Sequence, residues 1–194
     1  IFAAVYLGLA VVSFLSYWAA GMSAFDAINH AFSVISTGGF STKNLSIASF
    51  DSNLINILTI IFMFSSSVHF GLIYMVFATR SLRPLNNPVL KFYVLTILIA
   101  SLLVALSLKM SSAGFTWGDS FMTGIFQVVS FISATGFAIS DNSTWPLFAC
   151  FITVLISIPC GMAGSTTGGV KSDRMFLIFK TIGQQIKNSI HPSS

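Results

Sequence analysis

From Ile1 to Ala20 the chain runs twenty residues without a charged side chain, and comparable apolar runs recur at Leu54 to Thr79 and at Val89 to Leu108. About 20 apolar residues are what a helix needs to cross a hydrocarbon core of about 30 Å. A water-facing domain carries roughly 25% charged residues. Here they make up 7% of 194, nine Lys and Arg against five Asp and no Glu. That balance excludes an ordinary soluble enzyme, and an aromatic content of 14% with twenty Phe excludes a disordered chain. The expected fold class is an all-α membrane protein. The formal charge of +4 forms no basic cluster interleaved with aromatics, so nucleic acid is not the partner it points to.

A fourth run, Trp145 to Cys160, is too short to cross alone. Two shorter semi-apolar stretches, Ala24 to Ile35 and Phe121 to Ile132, have the length of re-entrant or buried segments. Ile1 already lies inside an apolar run with no basic region before it, so the chain is expected to begin partway through a longer protein. Cys150 and Cys160 read as core thiols, and His30, His69 and His191 fall on separate segments with no metal-ligand spacing.

Lys and Arg fix the orientation, because basic short loops remain cytoplasmic. Arg80, Arg83 and Lys91 mark one cytoplasmic loop; Lys171, Arg174, Lys180 and Lys187 mark the tail. Asp26, Asp51, Asp119 and Asp141 fall on the other side against only Lys43 and Lys109. A mouth lined by one sign of charge concentrates counter-ions, here cations. Taken singly, each Asp is better explained as a solvated loop or cap residue.

Shifted against itself by 97 residues, the sequence aligns FDAINHAFSVISTGGF (25–40) with MTGIFQVVSFISATGF (122–137) at six identities in sixteen positions. Chance gives about one or two. We read a duplication of a helix, half-helix, Gly-containing loop, helix unit. Each unit goes out and returns, so the repeats are parallel around an axis along the membrane normal, where a pore can form. The units divide the chain at residues 1–80 and 92–194, joined by the cytoplasmic loop 81–91. Ser23 with Asp26 forms a capping-box pattern that opens the first half-helix. Thr116 with Asp119 offers the same pattern in the second unit, although Ser120 is the counterpart of Ser23 at the 97-residue offset.

The half-helices stop at STGGFST (36–42) and SATGFAIS (133–140). Irregular backbone survives at membrane depth only where protein buries it or where it lines a water-filled cavity. Gly39 and Gly136 reach backbone angles closed to other residues, and could turn successive carbonyls toward one axis to replace a cation's hydration shell. The alternative is that these glycines only permit close helix packing.

The fourth run leads into PCGMAGSTTGGVKSDRM, in which Pro159, Gly161, Gly164, Gly168 and Gly169 cannot sustain a helix; helical periodicity resumes over Met175 to Ile190. With Trp145 at the outer face, Gly161 lies about 24 Å inward. A flexible polar loop there would obstruct a pore on the axis. GSTTGGVKS approaches the phosphate-binding pattern GxxxxGK[ST], but Val170 displaces Lys171 by one position and no strand precedes it. An ordinary cytoplasmic turn is a third reading. Other classes also leave traces. An intramembrane enzyme would use His30 with Asp26, or His69 with Ser65, Ser66 and Ser67, yet the His30 and Asp26 positions hold Gln127 and Thr123 in the other unit. A purely structural membrane subunit would tolerate Ala at Gly39 and Gly136.

HAFSVISTGGFST, SFISATGFAISDN, GMAGSTTGGVKSDR and the closing IHP together resemble the bacterial TrkH/KtrB family of potassium transporters, relatives of the plant HKT proteins. The resemblance implies a potassium-channel-like architecture of four repeats, of which this chain would hold the second and third. It implies a K+ filter built from the backbone carbonyls of Thr37, Gly38 and Gly39 and of Ala134, Thr135 and Gly136. It further implies a gate beneath the filter formed by Gly161, Ala163, Gly164, Ser165, Thr166, Thr167, Gly168 and Gly169. A multi-pass protein of the bacterial inner (plasma) membrane, a homodimer, a cytosolic nucleotide-binding ring partner, K+ as the transported ion and no organic cofactor are implied as well. The unequal filter triplets, Thr-Gly-Gly and Ala-Thr-Gly, leave Na+ as companion or competitor.

Overall fold

The computed structural model describes residues 2–111 and 115–190, the last by its backbone only; Ile1, His191 and the end of the IHP motif lie outside the described residues. The described chain is helical, with α1 (Phe2–Ala19), α2 (Ala24–Ile35), α3 (Asn53–Ser67), α4 (Phe70–Thr79), α5 (Pro88–Met110), α6 (Trp117–Ile132), α7 (Leu147–Ile156) and α8 (Ser172–Ile190). One parallel bridge, Pro159–Cys160 against Val170–Lys171, closes the segment between α7 and α8.

By length and composition α1 and α5 can each cross a membrane, and α3 with α4 makes a third crossing if the bent pair is one span. The run from Leu54 to Thr79, read above as one crossing helix, is instead bent by 99° between α3 and α4. Val68 is extended there, and the His69 imidazole accepts from Gly71 N–H to open α4. α5 starts at Pro88, with Asn87 accepting from Val89 and Leu90 N–H, so Lys91 lies on its first turn and not in the connecting loop. α7 spans ten residues, shorter than its apolar run, and α8 begins at Ser172, three residues before the expected Met175.

The interior is made by α5 on α6 and α1 on α2, with α3 touching both half-helices. Small residues let α5 and α6 approach: a Cβ on Gly124 would sit 3.0 Å from the Ser101 carbonyl and 3.2 Å from Ala105 Cβ. Tyr17, Met63, Tyr93, Leu108, Phe126 and Phe137 are fully buried in the core. Tyr17 of α1 also donates to Thr59 of α3 at 3.1 Å. Outward, α1 presents Leu7, Val11, Val12, Leu15 and Trp18, and α5 presents Leu95, Leu98, Ile99 and Leu102. Apolar side chains on the inside and the outside of one helix are what a bilayer solvent demands.

Candidate ion path: two facing loops and a glycine-rich segment

Both half-helices begin at a hydroxyl cap. Ser23 accepts from Asp26 N–H, and Thr116 accepts from Asp119 N–H. α6 therefore starts one turn before Phe121. Ser120 is a buried interior residue and not the cap, because Thr116 already supplies the acceptor for the first-turn N–H group.

They also end alike. Ser36 and Ser133 close the helices with matching angles (φ −77, ψ −5 and φ −79, ψ −4). Thr37 and Ala134 then turn left-handed, both at φ 54, followed by Gly39 at φ 70 and Gly136 at φ 86. Left-handed backbone at a β-branched residue such as Thr37 is strained, and it persists where the surroundings over-determine it. These four positions pair at the same 97-residue offset as the sequence match.

The loops meet main chain to main chain. A Cβ placed on Gly39 would lie 1.9 Å from the Thr135 carbonyl oxygen, so only glycine lets the two backbones approach this closely. Ala48 N–H donates to the Ala138 carbonyl, and Ala138 N–H to Ser46 Oγ, both at 3.3 Å. Gly38, Ala134 and Gly136 are exposed, Thr37 and Gly39 half-buried and Thr135 buried. The six sequence-selected residues thus stand in two touching turns.

Side chains behind the turns hold them differently. In the first loop Asp26 accepts from Thr42 at 2.5 Å and from Ser23 at 2.8 Å, with Lys43 at 3.5 Å. The Thr42 hydroxyl first, then that of Ser23, with Lys43 assisting, holds this carboxyl below its ordinary value of 3.8 despite its burial. His30 donates from Nδ1 to the Asp26 carbonyl at 2.7 Å, leaving Nε2 to accept from Ser41 at 2.9 Å. His30 and Asp26 are therefore not a catalytic pair: the imidazole meets the main chain and not the carboxylate. In the second loop Ser130 Oγ donates to the Phe137 carbonyl at 2.6 Å, and the Ser133 and Thr135 hydroxyls bond at 2.7 Å.

The segment 161–169 lies against the first loop and the bend of α3–α4. Thr166 Oγ1 donates to the Ile35 carbonyl at 2.8 Å and to the Ser66 carbonyl at 3.1 Å, while Thr37 Oγ1 donates to the Thr166 carbonyl at 3.2 Å. Lys171 donates to the Thr167 carbonyl, Ser172 Oγ to the Cys160 carbonyl, and Ala163 N–H to Asp173 at 2.6 Å. Ser165 Oγ donates to the Met162 carbonyl at 2.6 Å, which leaves it to accept from the Thr167 hydroxyl at 2.8 Å. The segment expected as a flexible loop is thus fastened at many points. Its glycines serve contact as well as turning: a Cβ on Gly161 would lie 2.6 Å from the Ser67 carbonyl, on Gly164 2.8 Å from the His69 ring, and on Gly169 2.3 Å from Cys160 Sγ. Lys171 is occupied with Thr167, away from any arrangement that would cradle a phosphate.

Sequence reasoning weighed His69 with Ser65, Ser66 and Ser67 only as groups of an intramembrane enzyme, and missed that His69 and the Ser66 and Ser67 carbonyls face the glycine-rich segment at a bend. The signal was the length of the run, since 26 residues of straight helix from Leu54 to Thr79 would span about 39 Å, more than one crossing needs. Ser65, Ser66 and Ser67 donate back to the carbonyls of Ile61, Met63 and Phe64 and do not engage His69. Among the described residues no group of three His, Cys, Asp or Glu is placed to hold a metal ion. The buried polar side chains among the described residues are mainly Ser and Thr hydroxyls.

A mostly helical, membrane-type fold with two short interior helices ending in facing polar turns defines the class. The sequence model of TrkH, described as a cation transport protein, matches residues 1–194, and the chain belongs to that family. It is 36% identical over 195 residues to the Trk system potassium uptake protein TrkH of Escherichia coli strain K12, covering 98% of this chain and 40% of that protein. Against TrkH of Vibrio parahaemolyticus it is 34% identical over 191 residues, covering 97% and 39%. The crystal structure titled as the potassium transporter TrkH from Vibrio parahaemolyticus superposes with a TM-score of 0.90 at 33% identity, over 97% of this chain and 41% of that one. The chain thus spans about two fifths of the length of these relatives.

Proposed function

We propose that this chain forms two of the pore-lining units of a potassium uptake protein, residues 1–80 and 92–194 joined by 81–91, in a multi-pass protein of the bacterial inner membrane. K+ is the cargo, coordinated by main-chain oxygens of Thr37 to Gly39 and of Ala134 to Gly136. The single observation that carries the reading is the pair of left-handed turns at one sequence offset, with Gly39 pressed against the Thr135 carbonyl. A cation that sheds its water needs backbone oxygens held in fixed turns, and two matching turns in main-chain contact are what would supply them. The names of the relatives, potassium uptake proteins, support the choice of ion.

Gly161 to Gly169 serves as the gate. It joins the first turn through Thr37 and Thr166, so it stands next to the proposed filter and not at the chain's outer rim. Two such units cannot close a ring, so the remaining units of a longer chain complete it. A homodimer and a cytosolic nucleotide-binding ring controlling the gate are the proposed assembly. Because Thr37-Gly38-Gly39 and Ala134-Thr135-Gly136 present different side chains, Na+ competes with K+ in this filter. The test is ion flux in vesicles holding the full-length protein: deleting Gly164 to Gly168 raises basal K+ and Rb+ flux. Unchanged flux removes the gate from the reading, and flux of Na+ with exclusion of Rb+ reverses the ion order.

A further inference from the structure

In a straight helix the carbonyls of Ser66 and Ser67 would accept from the N–H groups of Phe70 and Gly71. The bend breaks both bonds, and all four groups are satisfied elsewhere. Ser66 accepts from Thr166 N–H at 3.3 Å and from Thr166 Oγ1 at 3.1 Å; Ser67 accepts from Met162 N–H at 2.8 Å. Phe70 N–H donates to the Gly164 carbonyl at 3.0 Å, and Gly71 N–H to His69 Nδ1 at 2.8 Å. Three of the four are thus satisfied by the glycine-rich segment and the fourth by one imidazole. Gly161 and Gly164 are the positions where that segment presses on the bend, against the Ser67 carbonyl and the His69 ring.

We infer that the α3–α4 bend is the seat of the gate, that His69 is its positioning residue, and that the segment leaves the ion path only as α3 and α4 straighten. The inference rests on the gate reading above. Lifting the segment alone would strand main-chain polar groups inside the membrane, where unpaired groups are strongly unfavourable. Straightening re-forms the 66–70 and 67–71 bonds and removes that penalty. For the main-chain groups of α3 and α4, seated loop with bent helix and lifted loop with straight helix are therefore the two satisfied states, while the lifted segment's own Met162 and Thr166 N–H groups and Gly164 carbonyl turn to the water of the ion path.

His69 tips the balance by holding Gly71 N–H in the bent state. His69→Leu removes that acceptor, whereas Asn caps a helix from the same position through its side-chain oxygen. Phe70→Pro loses the bond to the Gly164 carbonyl in the bent state but fits its backbone, since His69 (φ −58, ψ 118) already lies outside the helical region before the first residue of α4; it is excluded from the straight state, where its ring would collide with the Ser66 carbonyl. The experiment is Rb+ flux through the full-length protein in vesicles under closed-gate conditions. His69→Leu is expected to raise basal flux about fivefold, His69→Asn to restore it to the wild-type level, and Phe70→Pro to suppress the rise in the double variant with K+ over Na+ preference unchanged. Phe70→Pro carrying the deletion of Gly164 to Gly168 should conduct, which shows the pore intact. Basal flux in His69→Leu equal to wild type, or raised equally in His69→Asn, overturns the seat while leaving the gate reading to the deletion. A deletion without effect refutes the gate itself.

Discussion

Gly39 and Gly136 occupy equivalent places in the two turns, yet their surroundings make opposite demands on a methyl group. At Gly136 an added Cβ meets nothing within 4 Å, so Gly136→Ala is charged only with left-handed backbone at φ 86, about 1–2 kcal/mol. At Gly39 the same backbone term applies at φ 70, and the new Cβ would lie 1.9 Å from the Thr135 oxygen, where even tight Cβ contacts stand at 3.0 Å or more. The obstacle is main chain and cannot rotate away, so one turn must back off by more than an ångström. Displacing packed groups adds about 1–3 kcal/mol, which brings Gly39→Ala to about 2–5 kcal/mol in all. Thermal unfolding of the full-length protein in detergent should rank wild type, Gly136→Ala, Gly39→Ala in falling order, and Rb+ uptake should follow the same order, with Gly39→Ala near zero. Equal losses, or a greater loss at Gly136, would refute the direct apposition of the two turns.

The clamp behind the first turn and the closure of the glycine-rich segment give two further tests. Asp26→Asn should loosen the first loop, lowering thermal stability and weakening K+ over Na+ preference. Because the folded carboxyl is held below 3.8, its contribution is complete above the ordinary carboxylate range and lost as pH falls through the folded value, so melting curves of wild type and variant should converge only in strong acid. Gly169→Ala directs a Cβ to 2.3 Å from Cys160 Sγ, and Cys160→Ala in the same chain should recover a measurable part of the lost melting temperature, leaving the left-handed strain at φ 70.

Much of the architecture was legible because the bilayer leaves few solutions: apolar length located α1 and α5, and a hydroxyl three residues before an acid marked the start of α2, whereas for α6 the same pattern at Thr116 competed with Ser120 and the helix starts a turn before the expected Phe121. The offset of 97 residues foretold the matching turns, since a left-handed position writes itself into sequence as glycine. Thr37 and Ala134 left no such mark: each is the left-handed residue that closes a half-helix through local bonds, Thr37 N–H to Val34 with Gly38 N–H to Ser33, and Ala134 N–H to Phe131 with Thr135 N–H to Ser130, at a position where glycine is usual and is absent here. The bend was hidden for another reason. Val68-His69-Phe70 contains neither proline nor glycine, and what breaks the helix is a competing set of donors and acceptors supplied from Met162 to Thr166, which no local pattern reveals. Asp26 was read as a cap and a source of outer charge; its grip on Thr42 depends on the loop folding back over the helix start.

The bend and the facing turns share one physical origin, and it bears on how the ion path is built. Glycine in the 161–169 segment was expected to confer mobility, but Gly161, Gly164 and Gly169 each stand where a methyl group would collide with a neighbour, and so they allow contact. A segment of small residues can lay its main chain directly on another main chain, and that places carbonyl against N–H at membrane depth without side chains between. The same device recurs at Gly39 against Thr135. Thr166 then connects the two places: its hydroxyl binds carbonyls of α2 and α3, and its own carbonyl receives Thr37. Any movement of the segment that withdraws Thr166 takes a hydrogen bond from the strained residue at the head of the first turn. The proposed gate and filter are for that reason mechanically one unit, and a change at Thr166 should be felt in ion preference as well as in basal flux.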